Sequence, residues 1–387
     1  MKTADAVIVG AGVNGASIAF NLLTQGLRKV VLIERHLLAS GGTGKSAAIV
    51  RQHYSNVPLI QMMKRCLHVF AHFEEVVGGC AGFVNTGWVF LTPPDAAEGF
   101  ARNLSRLQSL GIRTWRISRE ELLELEPRFH LEDVGQIAYE PDSGYADPYL
   151  TTCSYIRACQ QRGGELIQGS PVTGLGVQGD TVKEVQTSRE RISTNIVVNA
   201  AGPWANGIAG LVGLILPLQV SLEEEIILVP PTGQAPLGLT VSDMAEAIYY
   251  RPEKGFVLVG RGFPKTYKYI DPDDAPSEVE FEFIEDTAQR VARRIPVYKH
   301  ALVQRAYTGL YDITPDWHPV LGKTSVAGFY LAAGFSGHGF KLAPVIGELI
   351  SEEIVEGESK TIDISAFRLD RFAKGKLFTA AYGGNRA

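Results

Sequence analysis

Cysteine is scarce in this 387-residue chain, and its four cysteines, Cys66, Cys80, Cys153 and Cys159, form no CxxC pair. Neither a zinc site nor a disulfide framework is indicated, and a reducing, cytoplasmic setting suits such thiols. Basic charge is also short. The formal charge is −5, and no lysine/arginine cluster interleaves with aromatics, which argues against nucleic acid as a partner. Long apolar runs are missing too. The run "GIAGLVGLILPLQV" at 207–220 is shorter than the ~20 apolar residues a bilayer crossing takes, so no membrane span is expected; it reads as the end of a buried helix and the entry to a strand. The apolar start "ADAVIVGAGVNGASIAFNLL" is interrupted by glycines and Asn14 and lacks the basic region and cleavage site of an export signal. What remains is an ordinary globular composition, 45% hydrophobic and 20% charged, in a chain long enough to call for two domains.

Glycine, by contrast, is concentrated where chemistry is expected. Residues 5–9, "DAVIV", read as a buried strand, followed by "GAGVNG" with glycines at 10, 12 and 15, then a helix-spaced "ASIAFNLLTQG" and a second strand, "KVVLIE", ending at Glu34. Gly10 allows the tight turn, Gly12 lets the backbone approach a pyrophosphate, and Gly15 lets the helix pack against the sheet, while Glu34 can accept from an adenosine ribose hydroxyl. The order of these parts, more than the hexapeptide, signals a bound dinucleotide, and the acid at 34 disfavours NADP. A second small-residue loop, "RHLLASGGTGKSAAIVRQHYSN", follows at once and favours an extended FAD over a nicotinamide cofactor. It carries Arg51 between apolar and aromatic neighbours, a setting in which an arginine normally has an anionic partner.

The middle of the chain changes texture. A helix is expected over Pro148–Gln161, then a hairpin-like "SPVTGLGVQGDTVKEVQT" and a buried strand ending in Ala200, Ala201 and Gly202, with Trp204 at a helix start. From about 216 to 300, "EEIILV", "AIYYRP" and "GFVLVGRGF" read as strands of an antiparallel sheet, and "FEFIEDTAQRVARRIP" as a helix stopped by Pro296. "GFVNTGWVFLTP" adds a strand pair, and Ser118 to Glu121 a capping box. The fold expected is α/β: a discontinuous Rossmann-like FAD-binding domain from 1–75, 141–215 and 301–387, and an α+β substrate domain, mainly antiparallel, from 76–140 and 216–300. In "AAGFSGHGFKLAP", at 332–344, a strand turns through Gly334 and Gly337 into a helix starting near Gly339. That helix N-terminus, with Lys341 in its first turn, suits an electron-rich ring edge.

In order, "VIVGAGVNGASIAFNLL", "GYADP", "VVNAAGPWA", "YTGLYDITPD" and "AAGFSGHGFKLAP" resemble the FAD-dependent amine oxidoreductases of the D-amino acid oxidase superfamily, over essentially the whole chain. The similarity is greatest to sarcosine oxidase and to the beta-type subunits of sarcosine oxidase and proline dehydrogenase complexes. It implies oxidation of a primary or secondary amine bearing a carboxylate, with Arg51 and Lys341 holding the carboxylate and Tyr250 covering the site. His338 and His53 are candidate proton handlers. Expected cofactor contacts come from Gly10, Gly12, Gly15, Glu34, Arg35, Ser46, Val172, Ala201, Gly202, Trp204, Gly334, Gly337, Gly339, Phe340 and Lys341. Departures stand beside these matches. Gly309 occupies the position of a flavin-linking cysteine, so FAD is expected to be non-covalent; Leu258 replaces an oxygen-activating lysine, and Ala48 an arginine. A small-molecule substrate, a partner subunit for electron transfer and, as the alternative, a non-catalytic flavoprotein subunit or assembly factor are the readings this leaves. Glu223 and Glu224 are either surface charges or selectors of a basic substrate.

Overall fold

The computed structural model describes residues 2–380; residues 1 and 381–387, the outer ends of the expected segments 1–75 and 301–387, lie outside it. Among the described residues the dinucleotide side is built on a six-stranded sheet in the order Glu165–Ile167, Val30–Ile33, Ala6–Val9, Val197–Asn199, Phe329–Ala333, Val320–Lys323, parallel except at the last pair. Its strands Ala6–Val9 and Val30–Ile33 are apolar and buried at every position because both faces are covered. Ala6 and Ile8 face a core shared with the helices Val13–Thr24, Pro148–Gln161 and Gly339–Glu356, whereas Val7 and Val9 face a second core under the Val172–Gln178 and Thr181–Thr187 hairpin.

Two short motifs explain themselves locally. In "GYADP" the Asp147 carboxylate accepts from the backbone N–H groups of Tyr149 and Leu150, and Pro148 occupies the first helical position, so the helix Pro148–Gln161 starts where a cap and a preset φ coincide. In "YTGLYDITPD" the Asp312 carboxylate accepts from Gly334 N–H at 2.7 Å and its carbonyl from Ser336 N–H at 2.9 Å. The two C-terminal motifs thus hold each other, fixing the turn before the helix Gly339–Glu356.

The substrate side is a nine-stranded sheet backed by the helix Phe281–Arg294 and a separate core containing Val89, Ile226, Tyr250, Val259 and Val291. The Ser118–Glu121 capping box is present. Two strand placements differ from the sequence expectation. Val84–Asn85 pairs with Gly144–Tyr145 in a small sheet while Trp88–Thr92 enters the large one, because the chain turns at Gly87, φ +68°, between them. Leu302–Ile313 runs antiparallel along Gln219–Val229, so this stretch of 301–387 is built on the substrate-side sheet. No helix among the described residues is long and apolar enough to cross a membrane.

Candidate active site

The turn at Gly10 sets the first boundary of the site. Its φ is +104°, and a Cβ there would stand 2.5 Å from the carbonyl oxygen of Ala200; one on Gly15 would stand 2.0 Å from the carbonyl oxygen of Gly10. Only glycine lets strand, turn and helix approach this closely. At the end of the neighbouring strand, Glu34 accepts from Ala11 N–H at 3.0 Å and His36 N–H at 2.9 Å, which fixes its carboxylate at the rim. Above this edge opens a cleft of about 960 Å³ whose wall includes Gly10, Gly12, Glu34, Arg35, Ser46, Val172, Ala201, Gly202, Trp204, Gly337, Gly339 and Phe340. Gly15 and Gly334 sit behind that wall, one packing the helix and the other held by Asp312. Lys341 opens instead onto the pocket next door.

That pocket, about 170 Å³, shares Ser46, Tyr311, Gly337 and Phe340 with the cleft. Arg51 and Lys341 both line it. The Arg51 guanidinium donates to the carbonyl of His53 and lies 4.8 Å and 5.4 Å from the ring centres of Tyr54 and Trp88; Lys341 Nζ donates to the Gly337 carbonyl at 3.4 Å. Neither cation has a carboxylate ion-pair partner among the described residues. Burial, and then the charge of Arg51, hold Lys341 well below the ordinary lysine range. The other charges in the wall are neutralised internally: Lys265 by Glu223, Arg261 by Asp286, and Asp243 by Arg294. An anion entering this pocket would meet two basic groups that hold only backbone carbonyls and ring faces, with no carboxylate among the described residues to compete for them.

Tyr250 does not cover the pocket. It is fully buried in the substrate-side core, 6.4 Å from the Phe129 ring, and the aromatic facing the pocket is its neighbour Tyr249. Adjacent residues of a strand point to opposite faces, so a one-residue shift exchanges core for cavity. His338 stands at the N-terminus of the helix Gly339–Glu356 with its Nδ1 3.0 Å from the Tyr54 hydroxyl. His53 lies against Trp88 and Phe90, its Nδ1 3.7 Å from Glu140 Oε1, and burial lowers its pKa. Leu258 is buried in the strand Phe256–Arg261 and lines neither cavity, and Glu223, engaged by Lys265 and Ser221, lines the cleft. Glu224 lies among Glu280, Lys268 and Glu223.

Some residues carried no sequence signal. Thr43 accepts from Val13 N–H at 3.1 Å in the first helical turn. Asp273, from the substrate side, accepts from Arg35 and from Trp204 Nε1, both at 2.8 Å, and Arg35 lies 4.1 Å over the Trp204 ring. All three residues of this clasp line the cleft. Charge-bearing residues in irregular loops leave no periodicity by which to find such a partner.

A glycine-turned helix N-terminus at a long cleft, joined to a small cationic pocket on a second sheet, defines a two-domain dinucleotide-dependent oxidoreductase. Residues 5–353 match the family described as DAO: FAD dependent oxidoreductase, and the chain belongs to that family. It is 26% identical to the mitochondrial dimethylglycine dehydrogenase of Mus musculus over 98% of this chain and 45% of that protein, so it spans less than half of that relative. It is 29% identical to FAD-dependent oxidoreductase domain-containing protein 1 of Bos taurus, over 97% of this chain and 86% of that one. The crystal structure of L-proline dehydrogenase from P. horikoshii superposes with a TM-score of 0.90 at 28% identity, covering 97% of this chain and all (100%) of that one.

The cleft fits FAD on its own observations. Besides the glycine cradle, the buried Oδ1 of Asn14 and Oγ of Ser170, both from cleft-lining residues, have no hydrogen-bond partner among the described residues and are open to a ligand.

Proposed function

We propose that this chain oxidises a primary or secondary amine carrying a carboxylate, an amino acid or N-alkyl amino acid of the sarcosine or proline kind, to an imine that water then hydrolyses. The single observation that supports this most is the pair Arg51 and Lys341, two basic groups without a carboxylate partner among the described residues, which open onto one small pocket beside the cleft. FAD, when bound, supplies the hydride acceptor. Arg51 and Lys341 hold the carboxylate, so that the carbon–hydrogen bond next to nitrogen is fixed in direction. Trp88, Phe90, Tyr249 and Phe340 exclude water around it. Gly10, Gly12 and the start of the helix Val13–Thr24 take the pyrophosphate, Glu34 the ribose, and His338 with Gly339 the far ring edge. A non-covalently held cofactor is in keeping with a cleft wall that has Gly309 and, among the described residues, no cysteine. Proline and dimethylglycine, named in the relatives, are small carboxylate-bearing amines of the size this pocket takes, and a partner subunit as electron acceptor is in keeping with the beta-type resemblance.

Anaerobic addition of amino acids to the FAD-loaded protein tests this. Bleaching of the flavin by L-proline or sarcosine is the expected outcome. A flavin left oxidised by every carboxylate-bearing amine contradicts it and favours the non-catalytic alternative.

A further inference from the structure

Oxidising such an amine requires a proton to leave the pocket, because an amino acid arrives as an ammonium near neutral pH and only the neutral amine has a lone pair to assist hydride loss. The pocket wall leads somewhere. Tyr249 lines the pocket and donates its hydroxyl to Glu225 Oε1 at 2.8 Å, and Glu225 in turn lines the adjoining cleft. Directly opposite Glu225 on the neighbouring strand, Tyr307 presents its hydroxyl to the same carboxylate. Tyr307 is half-buried, with the cations of Lys45 and Arg305 5.8 Å and 5.7 Å from its ring centre, and both of those residues are exposed. The hydroxyl end of the Tyr249 ring lies over Gly260, where a Cβ would stand 2.3 Å from its Cζ and hydroxyl oxygen. Pocket, phenol, carboxylate and phenol therefore form one connected line, whose last member, Tyr307, is partly exposed.

We propose that Tyr249, Glu225 and Tyr307 form a proton route from the substrate pocket to solvent, with Glu225 as the group that stores the ammonium proton. The inference rests on the amine-oxidation reading above. In the first step the substrate N–H bond breaks and its electron pair stays on nitrogen; Tyr249 gains that proton and passes its own to Glu225. The substrate nitrogen goes from +1 to 0, so the zwitterion becomes an anion, and the Glu225 carboxylate goes from −1 to 0, with no redox change. Glu225 then hands the proton to Tyr307, which releases one to water.

Burial supports the storage step by pushing the Glu225 carboxyl up to about 7, against the opposing effects of its tyrosine hydrogen bonds and Arg251. The charged and titratable groups around it are Glu223 on its own strand, paired with Lys265; Tyr249 and Arg251 on the strand Ile248–Glu253, Arg251 being paired with Glu253; Tyr307 and Tyr311 on Leu302–Ile313; and Lys45. The strand Phe256–Arg261 contributes Gly260 opposite Glu225, and its Arg261 is paired with Asp286.

The test is the rate of anaerobic flavin reduction by L-proline and by sarcosine across pH, in the FAD-loaded wild type, Glu225→Gln, Glu225→Asp and Tyr307→Phe, with acetate affinity measured on each by flavin absorbance. Glu225→Gln is expected to be slower by about a hundredfold and to lose the limb of the pH profile near neutrality, Glu225→Asp to recover part of the rate, and Tyr307→Phe to slow with a larger solvent isotope effect, acetate binding unchanged throughout. Wild-type rates and profiles in both Glu225→Gln and Tyr307→Phe would overturn the route. So would a loss of rate that is equal at every pH and accompanied by weakened acetate binding. If wild-type flavin binds acetate but stays oxidised with both amines, the oxidation reading itself fails, and the route falls with it.

Discussion

Arg51 and Lys341 face one pocket from opposite ends of the sequence, and the guanidinium, after burial, is the largest influence holding the Lys341 ammonium below its ordinary range. The arrangement is costly without a ligand and is relieved by a bound anion.

The first prediction follows from that depression. Lys341 is an ammonium below its lowered pKa and neutral above it, so affinity for a simple carboxylate such as acetate should fall as pH rises through that value. Lys341→Met should bind acetate weakly at all pH values and show no such limb. Titration of flavin absorbance with acetate at a series of pH values measures both.

Tyr249 and Tyr250 should respond in opposite ways. Tyr250 buries a hydroxyl with no hydrogen-bond partner among the described residues, so Tyr250→Phe should leave the flavin reduction rate alone and hold or raise Tm. Tyr249→Phe strips the bond to Glu225 and should cost about 1–3 kcal/mol of stability as well as rate. Thermal melts and anaerobic reduction on the two proteins decide it.

Asp273 joins Arg35 and Trp204 in the wall of the cleft. Because the contacts are at the surface, where such pairs are worth about 0.2–1 kcal/mol, Asp273→Ala should release FAD only about two- to fivefold faster. Recovery of free-flavin fluorescence after dilution reads the rate.

Glu225 should cost the fold stability at alkaline pH. Its folded-state carboxyl titrates near 7, above the ordinary glutamate value, so between the two the unfolded chain has lost a proton that the folded one keeps. Stability must therefore fall as pH rises through that window and stay lower above it. Glu225→Gln should melt higher than wild type above neutrality and no higher in acid, even as it slows the chemistry.

Much of this was readable in advance where one residue type alone can do the work. Gly10 and Gly15 announce themselves because any side chain would collide with backbone, and Asp147–Pro148 because cap and first-turn chemistry are local. Arg51 and Lys341 are about 290 residues apart in sequence and no spacing rule joins them; only the family resemblance pairs them. What strand patterns hide is register. "AIYYRP" offers two tyrosines, and only the pairing of Tyr249 with Gly260 and Tyr250 with Val259 sends one to the pocket and the other to the core. The long-range pairing of Leu302–Ile313 with Gln219–Val229, which brings Tyr307 to Glu225, is likewise set by the assembled sheet.

The two-cation clamp is the centre of the account, and Arg51→Met tests it most directly. FAD content and anaerobic substrate titration are measured on the same preparation. A charged hydrogen bond in a desolvated place is worth roughly 1.5–3 kcal/mol, so flavin occupancy should match wild type while carboxylate affinity and kcat/KM fall by about one to two powers of ten. Lost flavin with undiminished carboxylate affinity in the molecules that keep it would make Arg51 a strut of the FAD-binding loop and contradict the clamp.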